Sequence, residues 1–169
     1  IAFRMYGKEL EKTPKEMAYG TDVWVKNTDR MVINERYKRG RYHENLGDGM
    51  DYYHVALTLG AGNVAPFLKD SIWYDGTYAN WKILDNGPLR TSFQLMYNEW
   101  NAGGMKLKAT KTITLDAGSH FNKVEVNYTG QDNNDLPVVM GIVKRNEQGA
   151  MLLDEQQSLM AYWEPQHGA

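Results

Sequence analysis

The chain has 169 residues and a mass of 19.4 kDa, enough for one domain with a substantial core, because a chain near 150 residues buries roughly 68–70% of the surface it exposes unfolded. Its 19 Lys and Arg against 21 Asp and Glu leave a formal net charge of −2, so no bulk electrostatic attraction draws it to nucleic acid or to an anionic membrane. With no cysteine, disulfides, thiolate metal sites, iron–sulfur clusters and a cysteine nucleophile are excluded.

The longest charge-free apolar stretch, residues 55–68, contains Gly60, Gly62 and Pro66 and falls short of the about 20 residues a membrane helix needs. The opening Ile1-Ala2-Phe3-Arg4 has no secretory signal pattern. Tyr162 and Trp163 stand close to the end, where a terminus is usually polar, and predict that the sequence is a fragment of a longer chain. Five Trp and eleven Tyr point to an aromatic-lined groove or a β-rich core.

In chain order, residues 8–17 carry helix formers interrupted by Pro14 and predict no more than a short helical turn or two. Residues 21–26 alternate as a strand and carry Trp24. Residues 35–43 form a basic cluster interleaved with tyrosines, read first as a solvated edge strand whose charges discourage aggregation. Its functional version is a cationic lip for an acidic substrate, with Arg41 holding a carboxylate in a bidentate fork. A loop follows, in which His43, Asp48, Asp51, Tyr52, Tyr53 and His54 crowd together. Long loops of titratable and aromatic groups are where a rigid β-scaffold usually carries its site.

Gly60-Ala61-Gly62 lacks both the third glycine of a dinucleotide fingerprint and the Lys-Ser/Thr of a P-loop. The glycine pair is read instead as close backbone packing or a bulge. A divalent metal on His43, Asp48, Asp51 and His54 is the lesser reading, because their spacing matches no established motif; no cofactor is expected.

Residues 71–74 and 77–84 flank Asp75-Gly76, a strong short hairpin signal, and a second turn follows at residues 85–88. Residues 89–97, 105–115 and 124–128 each alternate apolar with polar side chains, as strands with one buried and one wet face do. Glycine-bearing turns at 101–104 and 116–119 join them as hairpins. Residues 131–137 read as a polar loop. Residues 136–143 are nearly all apolar and predict a strand covered on both faces. Residues 151–163 admit a helix, although Tyr162-Trp163 fits a strand better. The whole, residues 1–169, reads as a single all-β domain, an antiparallel β-sandwich.

Outside the loop, Arg90 on the polar face of its strand divides evenly between surface charge and carboxylate anchor. Trp24, Trp73 and Trp81 have the shape to stack on sugar rings, although a single Trp is more often packed. His120 and His167 receive no role, and the sequon Asn127-Tyr128-Thr129, lying inside a strand, carries little weight.

The blocks Ile1-Ala2-Phe3-Arg4-Met5-Tyr6-Gly7, Gly49-Met50-Asp51-Tyr52-Tyr53-His54-Val55, Thr58-Leu59-Gly60-Ala61-Gly62, Ile83-Leu84-Asp85-Asn86-Gly87-Pro88-Leu89-Arg90 and Ile113-Thr114-Leu115-Asp116-Ala117-Gly118-Ser119 together resemble the bacterial and fungal family known as domain of unknown function 4861. The resemblance covers nearly the whole chain. It implies a galactose-mutarotase-like supersandwich, of which this chain is an incomplete portion, and a secreted or periplasmic setting among polysaccharide-degrading proteins. It supplies no settled activity. Family members are longer at both ends.

Fold does not select a chemistry, but epimerisation or β-elimination on a uronate needs an acid and a base that titrate near neutrality and a cation for the carboxylate. The expectation is therefore a carbohydrate-processing protein, lyase-, epimerase- or hydrolase-like, acting on acidic, uronate-containing oligosaccharides. His54 is its acid/base, His43 the second candidate, Tyr53 a proton donor and Asp51 the residue that orients a histidine. Arg90 and Arg41 bind the carboxylate, and Trp24 and Trp81 form a stacking wall. The rival expectation is a non-catalytic carbohydrate-binding β-sandwich. Neither nucleic acid nor a membrane is an expected partner, and a homo-oligomer that covers exposed sheet edges is.

Overall fold

A computed structural model of the chain describes residues 1–130, 135–145 and 149–163. His167 and residues 131–134 of the expected polar loop lie outside the described residues. Strands dominate, and every named strand pairing is antiparallel.

The largest sheet is built from the alternating segments: β6 (Tyr78–Asn86), β7 (Arg90–Tyr97), β9 (Met105–Asp116) and β10 (Asn122–Gly130), in the order β10-β9-β7-β6. The short β8 (Trp100–Ala102) continues along β9 beyond the end of β7. The period-two pattern positions the core, since Leu95, Tyr97, Ala109 and Ile113 are buried together with Phe3, Phe93 and Tyr128 packed against them. A second sheet, β11-β4-β5, contains β4 (Ala61–Leu68), β5 (Ser71–Ile72) and β11 (Val138–Ile142). It packs on the first, with the Tyr128 hydroxyl donating to the Val64 carbonyl at 3.0 Å, and gives the all-β sandwich its two layers. The third sheet joins β1 (Ala2–Arg4), β2 (Asp22–Lys26) and β3 (Gly49–Met50). Single bridges from Gly7 to Tyr78 and from Thr21 to Gly60 tie it to the other two. The last hairpin is β12 (Ala150–Asp154) with β13 (Leu159–Trp163), so residues 151–163 are strands and not a helix.

Pro14 does confine residues 8–17 to two short 3-10 turns. Three expectations are corrected. The basic cluster is not an edge strand; residues Ile33–Arg39 form helix α1, closed by Gly40 at φ 65°, whose N–H bonds back to the Tyr37 carbonyl at 3.1 Å. Asp75-Gly76 is not a hairpin turn. β5 folds back on β4 through Lys69 and Asp70, both at positive φ, while β6 pairs with β7. Asp75 is drawn inward because its carboxylate meets Lys111 Nζ at 2.6 Å, both side chains being buried. Finally, β11 is not covered on both faces, as Val138 and Met140 remain exposed. No helix among the described residues is long and apolar enough to cross a membrane.

The glycine pair behaves as expected at its first member. A Cβ on Gly60 would lie 2.3 Å from the Thr21 carbonyl oxygen, and one on Gly20 would lie 2.3 Å from the Gly60 nitrogen, so the two backbones touch. That contact holds the segment leading into β2 against the one entering β4.

Candidate active site

The site grows from the β1–β2 ladder. Directly opposed residues of an antiparallel pair put their side chains on one face, and the register opposes Arg4 to Asp22. Tyr6, two residues on, donates its hydroxyl to Asp22 Oδ2 at 2.8 Å. Beneath them Tyr6, Ala18 and Val55 form a small apolar cluster.

The loop after α1 is held by Arg36, which is only 2% exposed. Its guanidinium donates to the carbonyls of Arg41 and Glu44, each at 3.0 Å, and of Gly49 at 2.6 Å. It also pairs with the Asp48 carboxylate and lies 5.7 Å from the Trp24 ring. A buried guanidinium with this many acceptors organises the loop as a small hydrophobic core would. The Tyr42 carbonyl accepts the Asp51 N–H at 3.0 Å, and the Tyr42 ring stacks on Tyr37, with centroids 4.6 Å apart, and meets the His43 ring at a tilt, with centroids 4.2 Å apart. His43 Nδ1 consequently lies 3.4 Å from the Asp51 carbonyl oxygen.

Arg4, Tyr6, Asp22, His43, Asp51, Tyr53 and His54 line one cavity of about 590 Å³, with Lys15 and Glu16 on its wall. That size falls within the roughly 300–1,000 Å³ of ligand pockets. Asp22 and Asp51 are buried, at 5% and 8% exposure. Burial, then the charge of Asp51, pushes the Asp22 carboxyl up to about 6, against the Tyr6 hydroxyl and Arg4. Burial also raises Asp51, opposed chiefly by the charge of His43. Burial and the Asp22 carboxylate keep the Tyr6 phenol protonated. Oδ1 of Asp22 and Oδ1 of Asp51 have no hydrogen-bond donor.

His43, Asp51, Tyr53 and His54, the four residues expected to act, are thus brought to one hollow. Two details differ from expectation. Asp51 meets His43 through its backbone carbonyl. The Tyr53 hydroxyl points to the carbonyls of Gly60 and Val143, at 2.9 and 3.2 Å, so the geometry makes it a wall and not a proton donor.

The expected substrate-binding residues are not brought here. Arg90 pairs with Asp116 across β7 and β9, at 2.6 and 2.9 Å, beside a separate hollow on the large sheet. Arg41 is exposed, with its Nε 3.0 Å from both oxygens of Glu44. Trp24 is buried beneath Arg36, and Trp81 is exposed on edge strand β6. Among the described residues no three His, Asp or Glu side chains are grouped to hold a metal ion; Asp48 is taken by Arg36.

Arg4, Tyr6 and Asp22 were not among the residues that sequence reasoning selected. The available signal was Asp22 beside the apolar alternation of its strand, a charge at a place where burial demands a partner.

The sequence model of a family described as Domain of unknown function (DUF4861) matches residues 1–169. Among curated proteins the chain is similar to "Uncharacterized protein P7" of Formosa agariphila, 29% identical over 178 residues that cover 99% of this chain and 44% of that protein. The chain therefore spans less than half the length of that relative. No solved structure matches it.

Proposed function

We propose that this chain, which belongs to the family described as Domain of unknown function (DUF4861), is a secreted or periplasmic carbohydrate-processing protein that acts on acidic, uronate-containing oligosaccharides by acid–base chemistry. One observation carries the proposal: His43, His54, Asp51 and Asp22 share a cavity with the cations Arg4 and Lys15. Proton transfer is fastest from groups that titrate near the working pH, and Asp22, held up to about 6, meets that condition. Imidazole ordinarily changes charge between pH 5 and 8. His54 is the acid/base of this proposal and His43 the alternate, with Asp22 as a partner of complementary protonation. Arg4 takes over the carboxylate-binding role first expected of Arg90, because it lines this cavity, its guanidinium 4.8 Å from the Tyr6 ring centroid.

The test is a screen of uronate-containing oligosaccharides, with products detected by mass spectrometry. On a processed substrate, His54→Ala or His43→Ala should lower kcat by about 100-fold or more. Full turnover by both variants would overturn the assignment. The binding-module alternative rests on Trp81, the exposed indole, since Trp24 is buried. It requires that Trp81→Ala abolish glycan binding, that the histidine variants bind normally, and that no product form.

A further inference from the structure

We propose, resting on the carbohydrate reading above, that a neighbouring hollow is a second subsite for an uncharged sugar, so that the ligand is a mixed chain joining a uronate to a neutral sugar residue. This second cavity, of about 380 Å³, is lined by Phe3, Ile33, Asn34 and Tyr37 and shares Arg4 and Asp22 with the histidine-bearing cavity. Its size also lies within the range of ligand pockets. Ile33 and Tyr37 stand four residues apart on α1 and so lie on one face of the helix. The two hollows also meet at the tyrosines. Tyr37 lines the smaller one and Tyr42 the larger, and their stacked rings are 4.6 Å apart. The side chains involved are open to a ligand: Tyr37 is 39% exposed, and Asn34, His43 and His54 are exposed as well.

The hollows differ in charge. Beyond the shared Arg4 and Asp22, every residue lining the smaller cavity is uncharged. The larger one adds Lys15, Glu16, Asp51 and both histidines. A carboxylate in the smaller hollow would give up water without gaining a cation beyond the shared Arg4. A neutral pyranose has an apolar C–H face, which displaces water from Phe3, Ile33 and Tyr37. The Asn34 amide both donates and accepts, as hydroxyls on the rim of such a ring require. The uronate therefore belongs in the larger hollow, with Lys15 and the histidines, and its neutral neighbour beside α1. Helix α1 thus acts as a specificity element for a site whose acid–base groups lie on the following loop.

The experiment is calorimetric or NMR titration of the 169-residue chain with five probes. They are D-glucuronate, cellobiose, a disaccharide of two D-glucuronates, and the two disaccharides that join D-glucuronate to D-glucose in either order. One mixed disaccharide should bind at least tenfold more tightly than glucuronate and than either uniform disaccharide. Tyr37→Ala should weaken that binding about tenfold and Asn34→Ala about threefold, while both variants hold glucuronate within twofold of the original chain. Retained glucuronate binding reports that the larger hollow is intact, and the second variant guards against the first failing to fold. The subsite is overturned if the diglucuronate binds as tightly as the mixed disaccharides, if neither mixed disaccharide outbinds glucuronate, or if no sugar binds. It is equally overturned if both variants leave the mixed disaccharide unaffected or weaken it and glucuronate alike. Mixed-disaccharide binding that needs Tyr37, without turnover of any oligosaccharide, would sink the acid–base reading and leave the subsite standing. Turnover that depends on His54 but is indifferent in KM to Tyr37→Ala and Asn34→Ala would do the reverse.

Discussion

At the scale of single residues, three charged side chains inside the molecule do different work. Arg36 donates through its two terminal nitrogens to the carbonyls of Arg41, Glu44 and Gly49 and holds the loop that presents His43. Lys111 lies in the apolar row of β9, where Leu107, Ala109 and Ile113 are its buried neighbours. Its ammonium reaches Asp75 at 2.6 Å and Asn63 Oδ1 at 2.8 Å, 4.7 Å from the Tyr97 ring centroid. Burial drives both members of the Lys111–Asp75 pair toward their neutral forms, and their mutual attraction opposes this. Removing one partner strands the other, so Lys111→Met should cost about 3–5 kcal/mol in urea unfolding. Combining it with Asp75→Asn should return much of that loss.

Asp22 is the opposite case, a group whose burial opposes stability at neutral pH. Its carboxyl sits at about 6 against an ordinary 3.8, so between those values the folded chain holds more protons than the unfolded one and stability falls as pH rises. The loss from this group alone is roughly 3 kcal/mol across the window. Asp22→Asn should remove that slope and raise stability at pH 7.5 by about 1–2 kcal/mol, the lost charged partner of Tyr6 offsetting the rest. Parallel unfolding curves at pH 4 and pH 7.5 for both proteins decide it. On the proposed reading, a gain in stability with a loss of turnover would be the signature of a site whose strain serves function.

At the scale of elements, the alternating segments were legible in advance. Strands β7, β9 and β10 follow from period two, and the turn between β9 and β10 from Gly118 at φ 77°. Helix α1 was less visible because its inward residue is an arginine, so its buried stripe reads as polar. The β4–β5 turn was invisible for a related reason, since Lys69 and Asp70 occupy the left-handed region that glycine usually marks. The close approach of Gly20 to Gly60 gives an element-scale prediction. Gly20→Ala places a methyl group against the backbone of residues 59–60 and should destabilise by roughly 1–3 kcal/mol. Thermal melting of this variant beside the original chain checks it.

At the scale of the whole molecule, the apolar surface is uneven. Met151, Leu152, Leu153, Leu159 and Trp163 of the terminal hairpin are all exposed, as are Trp81, Ile83 and Leu84 on edge strand β6. Contiguous apolar surface on and beside sheet edges promotes association. The chain should therefore self-associate with rising concentration in analytical ultracentrifugation, and Leu153→Lys with Ile83→Lys should shift it toward monomer. An unchanged monomer for the original chain across the micromolar range would contradict this.

The amino-acid sequence by itself determined the antiparallel all-β class, its principal hairpins, and the crowding of His43, Asp51, Tyr53 and His54 into one stretch, because alternation and turn chemistry are local properties of the backbone. Only the tertiary structure decided that Arg4, Tyr6 and Asp22 complete that site, that Arg90 belongs with Asp116, and that Tyr53 points its hydroxyl into the backbone. A charged or hydroxyl group chooses between solvent and interior according to the partners it finds there. Those partners come from parts of the chain distant in sequence, on the opposing strand of a ladder or across a loop.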